Sequence, residues 1–177
     1  MKIQDIHKLS IKMGTEADCR GIVGVQKLLD DRRKSFDRLS EDGKKEFDKE
    51  SLENPYLDSG VYSVSDDKEI KKILVGIDID PSEILIAKEL GDIDLVIAHH
   101  PEGKGLAQLA DVMELQADVC NYYGVPINVA EGLMKERISE VARGVNSSNH
   151  QRTVDAARLM KINLMNSHTP TDNLAAK

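Results

Sequence analysis

The sequence predicts an α/β fold: a layered, mostly parallel sheet flanked by helices, with a charged helical extension at the N-terminus. Three observations predict it. Short apolar runs at residues 73–80, 95–98, 125–130 and 162–166 have strand length, and they alternate with stretches whose apolar residues recur at three and four. Trp is absent and aromatic residues make up only 3%, so the core must rest on Ile, Leu, Val, Met and Ala, which suits parallel strands covered by helices. At 177 residues, 40% of them hydrophobic, the chain can bury a real core.

Residues 2–13 read as an amphipathic helix, because Ile3, Ile6, Leu9 and Met13 fall on one stripe and Gly14 is a natural stop. His7 lies off that stripe and reads as a solvated surface histidine. Thr15-Glu16-Ala17-Asp18 opens a second helix with Ile22, Val25, Leu28 and Leu29 on its apolar face. From residue 30 to 50, 15 of 21 side chains are charged, eight acidic and seven basic, which reads as a solvated helix with i,i+4 pairs. Phe36, Leu39 and Phe47 would pin it to the rest. Asn54-Pro55 and Ser59-Gly60 punctuate a linker, so the domain boundary falls near residue 60: a helical charged region at 1–60 and an α/β core at 61–177.

Residues 61–64 are a weak strand and residues 73–80 the first strong one. Asp80 is placed to cap a helix with Pro81 at its first position, and Gly91 ends that helix. The strand at 95–98 follows, giving a βαβ unit with parallel strands. Leu106, Leu109, Ala110, Met113, Ala117, Cys120 and Tyr123 predict one longer helix over 106–123. Residues 125–130 read as a third core strand, leading through Glu131-Gly132 into a helix with Leu133, Ile138, Val141 and Ala142. After a break at 144–149 come a last helix, about 150–160, and a fourth strand at 162–166.

Several function classes are disfavoured. A net charge of -7 argues against a general phosphate-backbone binder, and the few aromatics offer little for base stacking. No run reaches the length of a membrane span. The first residues lack the apolar core of a signal peptide, and Cys19 and Cys120 show no CxxC spacing and read as reduced thiols, so a cytoplasmic protein is expected.

The chemistry gathers at strand ends. The run 95–98 ends in His99-His100-Pro101. Adjacent strand residues point to opposite faces, so both imidazoles can serve one site only if the backbone turns there, which Pro101, Gly103 and Gly105 permit. The run 162–166 ends in Ser167-His168-Thr169-Pro170-Thr171-Asp172. In a parallel sheet His99, His100, His168 and Asp172 then collect along one edge, where Asp78 and Asp80 can join them. Imidazoles with a carboxylate suit a borderline divalent metal: Zn, Fe, Mn, Co or Ni. A carboxylate can also bridge two ions that together activate water. No nucleophilic triad or phosphate-cradling loop stands out.

These two motifs, with the preceding strand Ile77-Asp78-Ile79-Asp80 and its helix, resemble the GTP cyclohydrolase I type 2 family, also called NGG-one-interacting-factor-three-like. Its hallmark is a hydrophobic strand ending in His-His-Pro, followed later by His-Thr-x-x-Asp. The likeness covers about residues 70–174. It implies a dinuclear metal site in an α/β fold, commonly in a ring-shaped homo-oligomer. By position His99 and His100 would be metal ligands, Asp172 the bridging carboxylate, and His168 a residue lining the site and its catalytic candidate. The family's further His and Glu from a C-terminal segment have no counterpart here, so the chain reads as the metal-binding half, C-terminally truncated, with extra helix between 131 and 160.

The function implied is divalent-metal binding, with hydrolysis of a small nucleotide-like or heterocyclic substrate. The alternative is a non-catalytic regulatory or interaction protein that keeps the fold and recruits a partner through its charged N-terminal third. Neither nucleic acid nor membrane is an expected partner.

Overall fold

The computed structural model describes residues 1–177. Four strands form one sheet: β1 (Gly60–Ser63), β2 (Ile73–Gly76), β3 (Leu95–Ala98) and β4 (Leu164–Asn166), in the order β1-β4-β3-β2. β2 pairs parallel to β3 with Val75 opposite Ile97, and β3 parallel to β4 with Val96 opposite Leu164. β1 runs antiparallel to β4, with Gly60 opposite Asn166. The mostly parallel α/β sheet expected from the sequence is therefore present, with β1 as its antiparallel edge.

Strand alternation divides the core into two layers. Val96, Ala98 and Leu164 meet Ile84 and Ala87 of α4 (Pro81–Leu90) and Val154 and Ala157 of α9 (Arg152–Met160). On the opposite face Leu95 and Met165 meet Ile3 of α1 (Ile3–Ala17). α4 begins as its sequence dictates: Pro81 sits in the first turn, the Asp80 backbone N–H donates to Glu83 Oε2 at 2.8 Å, and Gly91 closes the helix in a left-handed conformation.

Several helices depart from the sequence reading. α1 runs through Gly14 rather than stopping there. That glycine serves close packing: a Cβ would stand 2.6 Å from Pro170 of α10 (Thr169–Ala175). His7 is buried, with Nε2 3.7 Å from Glu50 Oε1, because the segment after α3 folds back over α1. Thr15 to Ala17 finish α1, and α2 (Gly21–Asp37) opens only after Asp18 has capped it. The charged stretch is the end of α2, then α3 (Glu41–Glu46) and a 3-10 turn (Lys49–Leu52). Ser40 caps α3 by accepting from Gly43 N–H at 3.2 Å, and the chain doubles back so that Phe36 and Phe47 stack with centroids 5.0 Å apart. The pairs along it, Asp30–Arg33, Asp31–Lys34, Glu41–Lys44 and Asp42–Lys45, are spaced i,i+3.

The segment read as a linker is buried and heavily bonded. Tyr56, Asp58 and Ser59 are no more than 2% exposed, and Arg32 donates to the carbonyls of Ser51, Asn54 and Pro55 at 3.2, 3.0 and 3.4 Å.

Between β3 and β4 the expected single helix is three: α5 (Gly103–Ala107), α6 (Leu109–Val112) and α7 (Leu115–Tyr122). α5 is pressed so close to β1 that a Cβ on Gly105 would fall 2.2 Å from the Tyr62 hydroxyl. The strand expected at 125–130 does not form. Pro126 caps α8 (Ile127–Asn146), a helix that runs past Gly144. Val125, Ile127 and Val129 alternate like a strand, but Ala130, Met134 and Ile138 repeat at four, and the helical period wins because that stripe has α7 to pack against.

Candidate functional site

Both strand ends bend toward one another. β3 stays tethered beyond its last residue: His99 N–H donates to Gly76 O and His100 N–H to Ile77 O, each at 2.9 Å, while Ser167 N–H donates to Ala98 O at 3.0 Å. The turn at Pro101 brings both imidazoles to one side, with ring centroids 5.3 Å apart. After β4, His168 caps α10, whose first turn is opened by Thr169 and Pro170. Asp172 stands four residues on, so one helical turn sets His168 and Asp172 on the same face.

The structure thus brings together the four predicted site residues. The His168 ring centroid lies 4.9 Å from that of His99 and 5.9 Å from that of His100. One nitrogen from each of the three rings falls within 4.8 Å of the others. The Asp172 carboxylate reaches 3.4 Å from His99 Nε2 and 3.7 Å from His168 Nε2. Asp78 joins through His100. Asp80 does not: it caps α4 and pairs with Arg152.

The outer side of each ring is held. His99 Nδ1 donates to Ser167 O at 3.2 Å, His100 Nδ1 to Asp78 Oδ1 at 2.6 Å, and His168 Nδ1 to Asp58 Oδ2 at 2.8 Å. Carbonyl and carboxylate oxygens only accept, so each Nδ1 carries the proton and a neutral ring keeps its lone pair on Nε2. Asp58 is 1% exposed and also accepts from Thr169 Oγ1 at 2.6 Å and Ser59 Oγ at 3.1 Å. Burial disfavours charge on His168, but the Asp58 hydrogen bond and the negative charges of Asp58 and Asp172 outweigh it and lift its pKa above 6.5. The side chains of His99 and His168 are about three-quarters covered, whereas those of His100 and Asp172 are half exposed, so the group opens to solvent on one side.

Asp58 escaped the sequence reading because Asn54-Pro55 and Ser59-Gly60 look like punctuation. Its signal is topological: β1 starts where its antiparallel partner β4 ends, so Asp58, two residues before β1, comes beside His168, two residues after β4. A cleft of about 450 Å³ between α1 and the 3-10 turn and one of about 500 Å³ between α7 and α8 lie elsewhere, and neither is lined by His99, His100 or His168.

No protein-family model matches the chain, and no curated protein matches it. Among solved structures, a NIF3 superfamily protein from Sphaerobacter thermophilus is similar, with a TM-score of 0.62 and 33% identity. The chain carries a NIF3-type fold. The match covers 67% of this chain and 42% of the Sphaerobacter protein, so this chain spans less than half the length of that relative. No helix is long and apolar enough to cross a membrane.

Proposed function

We propose that the chain is a divalent-metal-binding, cytoplasmic member of the NIF3 superfamily, and that its site serves hydrolysis of a small nucleotide-like or heterocyclic substrate within a homo-oligomer. One observation carries the reading: His99 and His100 have Nδ1 fixed by an oxygen acceptor, which turns Nε2 into the cluster, and the Asp172 carboxylate stands 3.4 Å from His99 Nε2. Metal-ligating histidines are held in this way by carboxylates and backbone carbonyls, and the donor set suits Zn, Fe, Mn, Co or Ni.

His99, His100 and Asp172 would hold the metal. A bound ion would supply Lewis acidity and a water activated at neutral pH. The Asp58–His168 pair supplies the proton chemistry. Asp58 fixes the ring and favours its charged form, in which His168 holds a proton at Nε2 beside Asp172 that can pass to a leaving group.

The test is the metal content of protein purified without chelators, beside His99→Ala/His100→Ala. The expected result is about two equivalents in the wild type, lost in the variant. One equivalent would leave a half-site and remove the hydrolytic reading, and no metal after incubation with excess Zn²⁺ would overturn the proposal altogether.

A further inference from the structure

We propose that the cleft between α1 and the 3-10 turn is a binding site for a free aliphatic α-amino acid, held by its ammonium and its carboxylate at once. The site is built from side chains that the histidine cluster does not use.

The chain buries three side-chain polar atoms that have no hydrogen-bond partner: His7 Nδ1, Tyr62 Oη and Gln108 Oε1. Folded chains leave few such atoms unpaired, so each calls for a partner from outside the chain. All three residues adjoin Glu50. Tyr62, Gln108 and Glu50 line a void of about 10 Å³, room for a single water, which can accept from the hydroxyl and donate to the amide oxygen. His7 does not border that void. It is only 8% exposed, and with Glu50 it lines the cleft of about 450 Å³. His7 Nε2 faces Glu50 Oε1 at 3.7 Å. A carboxylate favours the ring N–H on its own side, so Nδ1 keeps its lone pair and needs a donor.

The two walls of the cleft carry opposite charge. His7, Lys8 and Ile11 lie on one face of α1, at helical spacing, while Glu50 and Glu53 stand across from them on the side of the 3-10 turn, and β1 adds Val61. Lys12 pairs with Glu16 and Glu50 with Lys104, whereas Lys8 and Glu53 have no partner of opposite charge within the chain. A simple amine would leave Lys8 unanswered, and a simple carboxylate would leave Glu53 and His7 unanswered. A zwitterion answers both walls. Its ammonium has three N–H donors, and the cleft offers them Glu50, Glu53 and His7 Nδ1. Its carboxylate can accept from Lys8, and an aliphatic side chain can lie against Ile11 and Val61. The volume falls in the range of small-molecule sites, about 300–1,000 Å³.

The experiment is isothermal titration calorimetry of the full chain with L-leucine, beside isoamylamine and isocaproate, which are leucine without its carboxylate and leucine without its ammonium. L-Leucine is expected to bind saturably at one site per chain, and each half-molecule at least about tenfold more weakly, since each forfeits a charge-assisted contact. Lys8→Gln and Glu53→Gln should each weaken leucine binding by about tenfold. Both side chains are exposed, so the fold should be unchanged by far-ultraviolet circular dichroism. Leucine should also move the NMR resonances of the His7 ring. Because an amino acid can chelate a metal ion, the titration is repeated on His99→Ala/His100→Ala, where leucine affinity should match the wild type. No binding of L-leucine, a half-molecule that binds as tightly as leucine, unchanged affinity in Lys8→Gln or Glu53→Gln, an unmoved His7 ring, or affinity lost with the histidine pair would overturn the proposal. Lys8→Gln should keep the metal content of the wild type, so the two readings fail separately.

Discussion

Replacing Asp58 by Asn removes a buried charge and little else. The amide keeps an oxygen where Oδ2 accepts from His168 Nδ1 and Thr169 Oγ1, and turns its nitrogen toward Ser59 Oγ, which can accept. What is lost is the ionic part of those bonds. A hydrogen bond to a charged group contributes about 1.5–3 kcal/mol and a neutral one about 1, so the fold should weaken by about 1–2 kcal/mol. The pH dependence has a definite sign. His168 has a raised pKa in the folded chain, so the stabilisation from its partner is complete below the unfolded value of 6.5 and disappears as pH rises through the folded one. The stability gap between wild type and Asp58→Asn should therefore be wider at about pH 6 than at about pH 9. The effect on the site is read at His168 itself: without the Asp58 charge its ring should titrate lower than in the wild type. Urea unfolding at the two pH values measures the first effect, and NMR titration of the His168 ring measures the second. An unchanged His168 titration, or a stability gap no wider at about pH 6 than at about pH 9, would refute the reasoning.

Three further substitutions test the fold. Gly14→Ala puts a methyl 2.6 Å from Pro170 Cα and should cost about 1–3 kcal/mol in urea unfolding while loosening metal binding, since α10 carries Asp172. Arg32→Ala strips three carbonyls of their donor and should destabilise by about 2–3 kcal/mol, with Arg32→Lys recovering only part of it. His7 holds the Glu50 carboxyl down at about 2, against burial and with help from Lys104. A depressed carboxylate stabilises above its unfolded value of 4.5 and loses that contribution as pH falls toward 2. Glu50→Gln should therefore lower the melting temperature slightly at neutral pH and leave it unchanged near pH 2; because Glu50 is nearly half exposed, the effect should stay under about 1 kcal/mol.

Regular features survived from sequence to structure where local signals agreed. The run 95–98, the Asp80-Pro81-Glu83 cap and the Gly91 stop needed no tertiary information, because strand hydrophobicity and capping chemistry act within a few residues. The geometry of the four predicted site residues followed from the parallel pairing of two such strands. Long-range contacts account for the misses. Gly14 looks like a helix terminator until Pro170 is seen against it, and His7 looks solvated until Glu50 folds over it. Val125, Ile127 and Val129 alternate like a strand, yet Ile127 and Val129 lie in α8, which packs beside α7. Asp58 carries no local mark of its role, since its partners lie more than 100 residues further along the chain.

The crossover joining β3 to β4, residues 99–163, has a consequence for when the site comes into being. His99 and His100 leave the ribosome well ahead of Asp172, by roughly 4–14 s at about 5–20 residues per second. Through that interval the nascent chain displays two imidazoles with no carboxylate and no α10 behind them. β4 then has to find β3 across a long loop, whose closure entropy rises by only about 0.6 kcal/mol for each doubling of length but whose search is slow. The histidine pair and the acidic residue are joined only once β4 has paired with β3 and α10 has formed after it, so whatever the cluster captures, it captures after that pairing.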